Sequence, residues 1–295
     1  MDKKERITIM SKFKLSNIPR GFAMGVSDLI PGVSGGTIAL LLGIYDDFIQ
    51  SVSGVFSKNF KKSILFLLPI VMGMGLAIGI LSSVINYLLA EHPVPTMFFF
   101  FGLILGIIPF LLHISRYRQT YHIQHWLVML VCVIILASMA FFKGDSSHAV
   151  PSHIDVSGPM LIKYLIAGIC ASSAMLLPGI SGSFVLLLFG VYSTVTFSIS
   201  EAVRFNFEGL PVILLVGVGV VIGFVIASKI ITFLLEHYTY LTYAAILGLV
   251  IGSLFSVFPG LPTSGLSWVV SIVTLIIGFV ISYVLGQFTA EAETK

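Results

Sequence analysis

The chain has 295 residues, 57% of them hydrophobic and 10% charged, with a mean hydropathy of +1.06. These values exclude a water-soluble globular domain of this length. The net charge of +3 carries little information, because what matters in a membrane protein is the side on which each Lys and Arg lies. We therefore expect an all-α integral membrane protein with no nucleic acid partner and no cofactor.

The predicted elements follow one another in a simple order. A basic arm, residues 1–18, precedes an apolar segment that Pro31 and several glycines interrupt. Three apolar runs come next, each about long enough to cross a hydrocarbon core of roughly 30 Å as a helix. After an external linker, residues 143–163, one interrupted segment, three long runs and a short tail, residues 287–295, complete the chain. The long runs cover residues 63–90, 96–113, 126–142, 210–234, 241–258 and 267–286.

The two halves, residues 19–142 and 164–286, match each other in sequence. PGVSGGT (31–37) corresponds to PGISGSF (178–184) at an offset of 147 residues, and GLILG (102–106) corresponds to GLVIG (248–252) at an offset of 146. Between these motifs, three glycines match three others at an offset of 144: Gly73, Gly75 and Gly79 with Gly217, Gly219 and Gly223. An ordered series of matches with nearly constant offset indicates an internal duplication.

Each interrupted segment is predicted to enter the membrane and turn back. The stretches around Pro31, residues 20–30 and 36–50, would rise only roughly 16 and 22 Å as helices. Three crossings per half then give two inverted-topology repeats, each a re-entrant helical hairpin followed by three transmembrane helices, with both termini cytoplasmic. This topology places most basic residues on the N-terminal side, as the positive-inside rule requires: Lys3, Lys4, Arg6, Lys12, Lys14, Arg20, Lys58, Lys61, Lys62, Arg116 and Arg118.

The tips of the two hairpins are the candidate substrate site. Hairpins that enter from opposite faces would meet near the middle of the bilayer, where irregular backbone must lie in protein or beside a polar cavity. Each tip begins an outgoing helix, whose first amides we expect to be unpaired and to attract an anion. Glycines would allow close approach, and hydroxyls would add donors. The predicted substrate-binding residues are Gly32, Ser34, Gly35, Gly36, Thr37, Gly179, Ser181, Gly182 and Ser183.

Several residues near the tips and in the linker have more than one interpretation. Asp28 could couple proton movement to transport, or it could accept hydrogen bonds from the turn and hold the tip together; its counterpart in the second half is Met175. Arg20 and Lys163 could attract an anionic head group, or they could anchor helices at the interface. The small residues of the tips could serve only close helix packing. We predict no metal site, since the spacing of the linker candidates is not diagnostic: Asp145, His148, His153 and Asp155.

The sequence around both motifs resembles a bacterial membrane family associated with polyprenyl-phosphate transport, formerly a domain of unknown function. The resemblance rests on SDLIPGVSGGTIALLLGIYD (27–46) and LLPGISGSFVLLLFGVY (176–192) and covers about residues 19–286. It implies a flippase that returns undecaprenyl phosphate, the lipid carrier of cell-wall peptidoglycan synthesis, from the outer to the inner leaflet of the cytoplasmic membrane. The phosphate would lie between the tips during alternating access, with proton coupling as an option, while the isoprenoid tail stays in lipid.

Three other functions stay open on the residues alone. A transporter or channel for a small soluble anion would use the same cradle, and a laterally open cleft would argue against it. A membrane-embedded lipid-phosphate enzyme would need a nucleophile or a metal cluster at the tips. The sequence has no HExxH or P-loop motif, so we predict that the chain is not an enzyme. A structural scaffold would leave the duplicated polar tips unexplained.

Overall fold

The computed structural model describes residues 15–29, 33–141 and 157–294, and within these ranges all regular secondary structure is helical. The first half contains α1 (Asn17–Asp28), α2 (Gly35–Leu41), α3 (Tyr45–Gly54), α4 (Phe60–Glu91), α5 (Pro93–Ile114), a single-turn α6 (Tyr117–Thr120) and α7 (Ile123–Phe141). The second half contains α8 (Gly158–Met175), α9 (Gly182–Leu188), α10 (Tyr192–Val203), α11 (Leu210–His237), α12 (Thr239–Val257) and α13 (Gly265–Thr294). Apart from α6, the two halves have the same order of helices.

The chain is a multi-pass membrane protein. Among the described helices, seven are long and apolar enough to cross a membrane: α4, α5, α7, α8, α11, α12 and α13. Large hydrophobic side chains are exposed on their outer faces, for example Leu76 on α4 and Val221 on α11, as contact with lipid requires. Six of the seven are the predicted crossing helices. The seventh, α8, contains the incoming arm of the second predicted hairpin; it begins inside the predicted linker and has 18 residues, against 12 in α1.

The outgoing arm of each predicted hairpin consists of two helices, so the expectation of one helix over residues 36–50 is wrong. Gly43 ends α2 and Gly190 ends α9, both with φ of +64°, a left-handed conformation that strains any other residue. At Gly43 the amide donates to Leu40 (3.0 Å) and the next amide donates to Ala39 (2.9 Å), which closes the helix end. The same pair of bonds recurs at Gly190, and α9 and α10 meet at 115°.

Glycines bring the incoming helices against the first long helix of each half. α1 packs along α4, where Gly21 and Gly73 lie at the contact, and α8 packs along α11, where Gly168 and Gly219 lie at the contact. A methyl group at any of these positions would overlap the backbone of the facing helix. Gly73 therefore corresponds to Gly219, at an offset of 146, and the predicted offset of 144 is wrong. A methyl group at Gly217, the predicted counterpart of Gly73, would have no atom of a facing helix within 4 Å.

The remaining long helices pack in pairs that combine the two halves. α5 lies along α13, and α7 lies along α12. The α5–α13 pair is parallel, because Gly102 faces Leu275 and Gly106 faces Phe279 further along both helices. In the same way the GLVIG motif of α12 runs parallel to α7, first opposite Met129 and then opposite Leu136. The GLILG and GLVIG motifs thus have the same packing role in both halves.

Candidate functional site between the two helix tips

The two motif tips touch each other deep in the bundle. The amide of Gly179 donates a hydrogen bond of 3.0 Å to the hydroxyl of Thr37. Close by, the hydroxyl of Tyr45 donates one of 3.0 Å to the carbonyl of Leu176. All four residues are buried, so no water competes for these groups. The first half of the chain therefore fixes the position of the second tip. Gly32, one of the predicted residues of the first tip, lies outside the described part of the chain.

The amides of Gly35, Gly36 and Thr37 in the first tip are paired, so the expectation that they are unpaired is wrong. The amide of Gly35 donates to Asp28 Oδ1 at 2.7 Å, and the amide of Gly36 donates to the hydroxyl of Ser34 at 3.2 Å. The amide of Thr37 donates to the carbonyl of Ser34 at 2.9 Å. Ser34 thus acts as the N-cap of α2, and Asp28 supplies a second acceptor from the preceding helix.

The second tip keeps its donors. Ser181 stands at the start of α9, but its hydroxyl does not cap the helix and instead lies 2.7 Å from the hydroxyl of Ser183. Within the described part of the chain, the amides of Gly182, Ser183 and Phe184 have no hydrogen-bond acceptor. The reason is local, since the residue that corresponds to Asp28 is Met175, whose side chain is a poor acceptor.

A cavity of about 270 Å³ lies between the tips. It brings together hydroxyls from both halves of the chain, namely those of Ser34, Ser181 and Ser183, with the side chain of Asp28. The rest of the wall is largely apolar, which strengthens any hydrogen bond made inside; it includes Ala171, Met175, Ile180, Leu186, Val220 and Phe224. Such a cavity can hold a small anionic group through hydroxyl and amide donors.

The predicted site residues therefore divide into two groups. Ser34, Ser181, Gly182 and Ser183 line the cavity, as does Asp28. Gly35, Gly36, Thr37 and Gly179 do not line it, and their hydrogen bonds hold the tips in place.

The predicted head-group attractors lie farther from the cavity. Arg20 is on the first turn of α1, about 12 Å along the helix from Asp28 at 1.5 Å per residue, and it donates to the side chain of Asn17 at 3.0 Å. Lys163 is on α8 and approaches Gly190, at the end of α9. Neither residue is part of the cavity wall, and their predicted role stays a prediction.

Two kinds of residue were missed by reasoning from the sequence. Val220 and Phe224 of α11 form part of the cavity wall, but nothing distinguishes them within a long apolar run. Tyr45 could have been predicted, because the sequence repeats it as Tyr192 at the same distance from the motif, which indicates a shared role. No cluster of His, Cys, Asp and Glu able to hold a metal ion occurs in the described residues. The linker candidates lie outside them: Asp145, His148, His153 and Asp155.

Seven apolar helices of the described chain long enough to cross a membrane, with hydroxyl groups from both halves and a carboxylate around one cavity, define a multi-pass membrane protein with a candidate anion site. Residues 24–268 match the family described as undecaprenyl phosphate translocase-like, and the chain belongs to that family. The predicted family resemblance is thereby confirmed.

Two relatives have names that state a function. The chain is 56% identical over 284 residues to a polyprenyl-phosphate transporter of Staphylococcus aureus, a match that covers 96% of this chain and 100% of that protein. It is 34% identical over 267 residues to a polyprenyl-phosphate transporter of Vibrio cholerae, covering 86% of this chain and 80% of that protein. No solved structure matches the chain significantly. Since both relatives are named as transporters, the prediction that the chain is not an enzyme is confirmed.

Proposed function

We propose that the chain is a flippase that moves undecaprenyl phosphate, or a similar polyprenyl phosphate, from the outer to the inner leaflet of the bacterial cytoplasmic membrane. The observation that carries this proposal is the cavity between the tips, in which Ser34 of one half faces Ser181 and Ser183 of the other. Membership of the undecaprenyl phosphate translocase-like family supports the choice of substrate. The cell-wall role is what the family resemblance implies, because undecaprenyl phosphate is the lipid carrier of peptidoglycan synthesis.

The second tip is the better place for the phosphate. Its amides at Gly182 and Ser183 have no acceptor among the described residues, and two hydroxyls stand beside them. Phosphate oxygens are acceptors, and charge-assisted hydrogen bonds to them are stronger than neutral ones. The first tip instead forms the opposite wall, because its amides at Gly35 and Gly36 already donate to Asp28 and Ser34.

The direction of the helices supports an inverted arrangement of the repeats. α5 of the first half runs parallel to α13 of the second, and α13 follows α12, the counterpart of α5. If successive crossing helices alternate in direction, α12 runs opposite to α5. The two halves then have opposite orientations, the tips enter from opposite faces, and the shared cavity is exposed alternately to each side.

Asp28 supports a coupling to protons in addition to its role in the tip. An ionised carboxylate and a phosphate in one small cavity repel each other by about 4 kcal/mol for unit charges 4 Å apart at an effective dielectric constant of about 20. Protonation of either group removes that repulsion. It also removes the opposing work of about 2.3 kcal/mol per charge per 100 mV when an anion moves toward a negative interior. One proton carried inward with each lipid would therefore serve both needs.

The test is the movement of a labelled polyprenyl phosphate between leaflets of liposomes that contain the purified protein. Ser181→Ala and Ser183→Ala together remove two donors and are expected to slow movement by at least about tenfold, since each hydrogen bond to a charged group contributes about 1.5–3 kcal/mol. Ser138→Ala is the matched control, because that exposed hydroxyl bonds only to Ile135 of its own helix. Equal rates in all three proteins would contradict the proposed site. Passage of inorganic phosphate without lipid movement would favour the soluble-anion alternative.

A further inference from the structure

A second and larger cavity opens at one end of the bundle. This cleft has a volume of about 720 Å³ and lies between the end of α4, the start of α5 and the start of α13. Its walls are mainly hydrocarbon, with Ile85 and Leu88 on one side, Phe99 and Phe100 on another, and Val270 on the third. A cleft of this size is within the range of small-molecule binding sites.

The cleft reaches the neighbourhood of the tip cavity. Val26 forms part of its wall, and Asp28, two residues later on the same helix, lines the tip cavity. The last turn of α1 is therefore a partition with one cavity on each side. From Leu266 at its outer end to Thr274, the cleft follows α13 for about 12 Å at 1.5 Å per residue.

The chemistry of the cleft suits hydrocarbon and not a phosphate. Its lining contains no Lys or Arg, and its two ionisable residues, Glu91 and His92, are adjacent at the junction of α4 and α5. Pro93 and Pro95 begin α5, and neither has an N–H group, so this wall presents fewer unpaired amides than other helix starts do. The hydroxyl of Thr274 donates to the carbonyl of Pro95 at 2.9 Å, which satisfies that group as well. An apolar chain can lie here without leaving buried donors unpaired.

The cleft also opens toward the surrounding lipid. Leu266 is 76% exposed and Val270 is 41% exposed, although both are large hydrophobic residues of a membrane helix. α13 packs along α5 and so leaves its other side open beside the cleft. A lipid tail can therefore enter sideways from the bilayer while its head group goes to the tips.

We propose that this cleft binds the isoprene units of the polyprenyl chain that follow the two nearest to the phosphate. This inference rests on the proposed function and adds to it the part of the protein that recognises the tail. The phosphate lies at the second tip, the first two isoprene units pass the end of α1, and the next units lie along α5 and α13. The site then distinguishes a long polyprenyl phosphate from a water-soluble phosphate that has no tail.

The test compares two lipids in the liposome assay: a long-chain polyprenyl phosphate and geranyl phosphate, whose two isoprene units end before the cleft. Val270→Trp places a large ring in the cleft, and Val273→Trp is the matched control, since Val273 is 49% exposed on the same helix but does not line the cleft. Val270→Trp is expected to slow the long-chain lipid by at least about tenfold, equivalent to about 1.4 kcal/mol, and geranyl phosphate by less than about twofold. Val273→Trp is expected to change neither rate by more than about twofold.

A second measurement reports binding without transport. A polyprenyl phosphate with a diazirine in its third or fourth isoprene unit is expected to label peptides at the starts of α5 and α13 in the wild-type protein, and to lose that label in Val270→Trp. A phosphatidylglycerol with a diazirine in its acyl chain is the control, and equal labelling of the cleft by this lipid would overturn the assignment.

The outcomes separate this inference from the proposed function. If the wild-type protein moves both lipids and Val270→Trp slows them equally, or slows neither, the tail assignment is wrong and the transport function stands. If the wild-type protein moves neither lipid, the proposed function is wrong and the tail assignment is overturned with it.

Discussion

The hydrogen bond between the two tips gives a quantitative prediction for the variant Thr37→Val. Thr37 is 3% exposed, and its hydroxyl accepts the amide of Gly179 at 3.0 Å. Valine has nearly the same shape but no acceptor, so the buried amide of Gly179 would be left unpaired, at a cost of about 1–3 kcal/mol. A loss of about 2 kcal/mol lowers the ratio of folded to unfolded protein by roughly thirtyfold. Lipid movement is expected to fall as well, because the same bond positions the second tip.

The assay is reversible unfolding of the purified protein in detergent micelles, with Thr242→Val as the matched control. Thr242 is also buried, at 9% exposure, but its hydroxyl donates only to the carbonyl of Tyr238, the residue before its own helix, and that carbonyl already accepts the amide of Thr242. We expect the control to change the free energy of unfolding by less than about 0.5 kcal/mol, and Thr37→Ser to retain most of the wild-type stability. If Thr37→Val and Thr242→Val unfold alike, the bond between the tips does not hold the site together.

Two further predictions concern the first half of the chain. Asp28→Asn keeps an oxygen that can accept a hydrogen bond from the amide of Gly35 but removes the charge. We therefore expect this variant to remain folded and to lose the stimulation of lipid movement by an inward proton gradient. Asp28→Ala also removes the acceptor, and we expect it to lose about 1 kcal/mol of stability in addition. Persistent gradient stimulation in Asp28→Asn would remove Asp28 from the coupling. Gly73→Ala is expected to lower the free energy of unfolding by about 1–3 kcal/mol, because the methyl group would overlap the backbone of α1. Gly75→Ala, two residues away with no facing atom within 4 Å, is expected to be neutral or slightly stabilising, and equal effects of the two changes would show that α1 does not pack there.

The parts of the fold that follow from hydrophobic length and from the repeat were predictable. Six long apolar runs became long helices because a bilayer of fixed thickness sets their length. The contact of the two motif tips was also anticipated, since a duplicated polar motif in lipid needs a polar partner. The break at Gly43 was missed, although the helix stop is local: LGIY contains a glycine in the position that a left-handed helix end requires.

The register of the glycines could not be read from spacing alone. Gly73 and Gly75 both belong to the pattern that repeats in α11, and only contact with α1 shows which of them is at the interface. The same limit applies to the tips. Their sequences are similar, so the pattern predicts unpaired amides at both tips. Whether an amide is free depends on a side chain from the preceding helix, as Gly35 and Asp28 illustrate.

The difference between the two tips follows from two substitutions between otherwise similar repeats. Asp28 caps the first tip where Met175 stands in the second, and Thr37 reaches across to the second tip where Phe184 stands in the equivalent place. The first tip thereby supports the second, and the amides at the start of α9 keep no acceptor among the described residues. Met175→Asp should reverse this difference, because Met175 Cβ lies 3.6 Å from where a Cβ of Gly182 would be, close enough for a carboxylate to approach that amide.

We expect Met175→Asp to leave the protein folded, since Met175 is 39% exposed and lines the cavity. An internal carboxylate would then occupy the donors that the phosphate needs and would add a second negative charge beside Asp28, so lipid movement should fall by at least about tenfold, or about 1.4 kcal/mol in the barrier. Met175→Leu keeps the apolar wall and should retain activity. Unchanged lipid movement in Met175→Asp would mean that the phosphate does not bind at the amides of the second tip, because a carboxylate bonded to those amides would compete with it and slow transport.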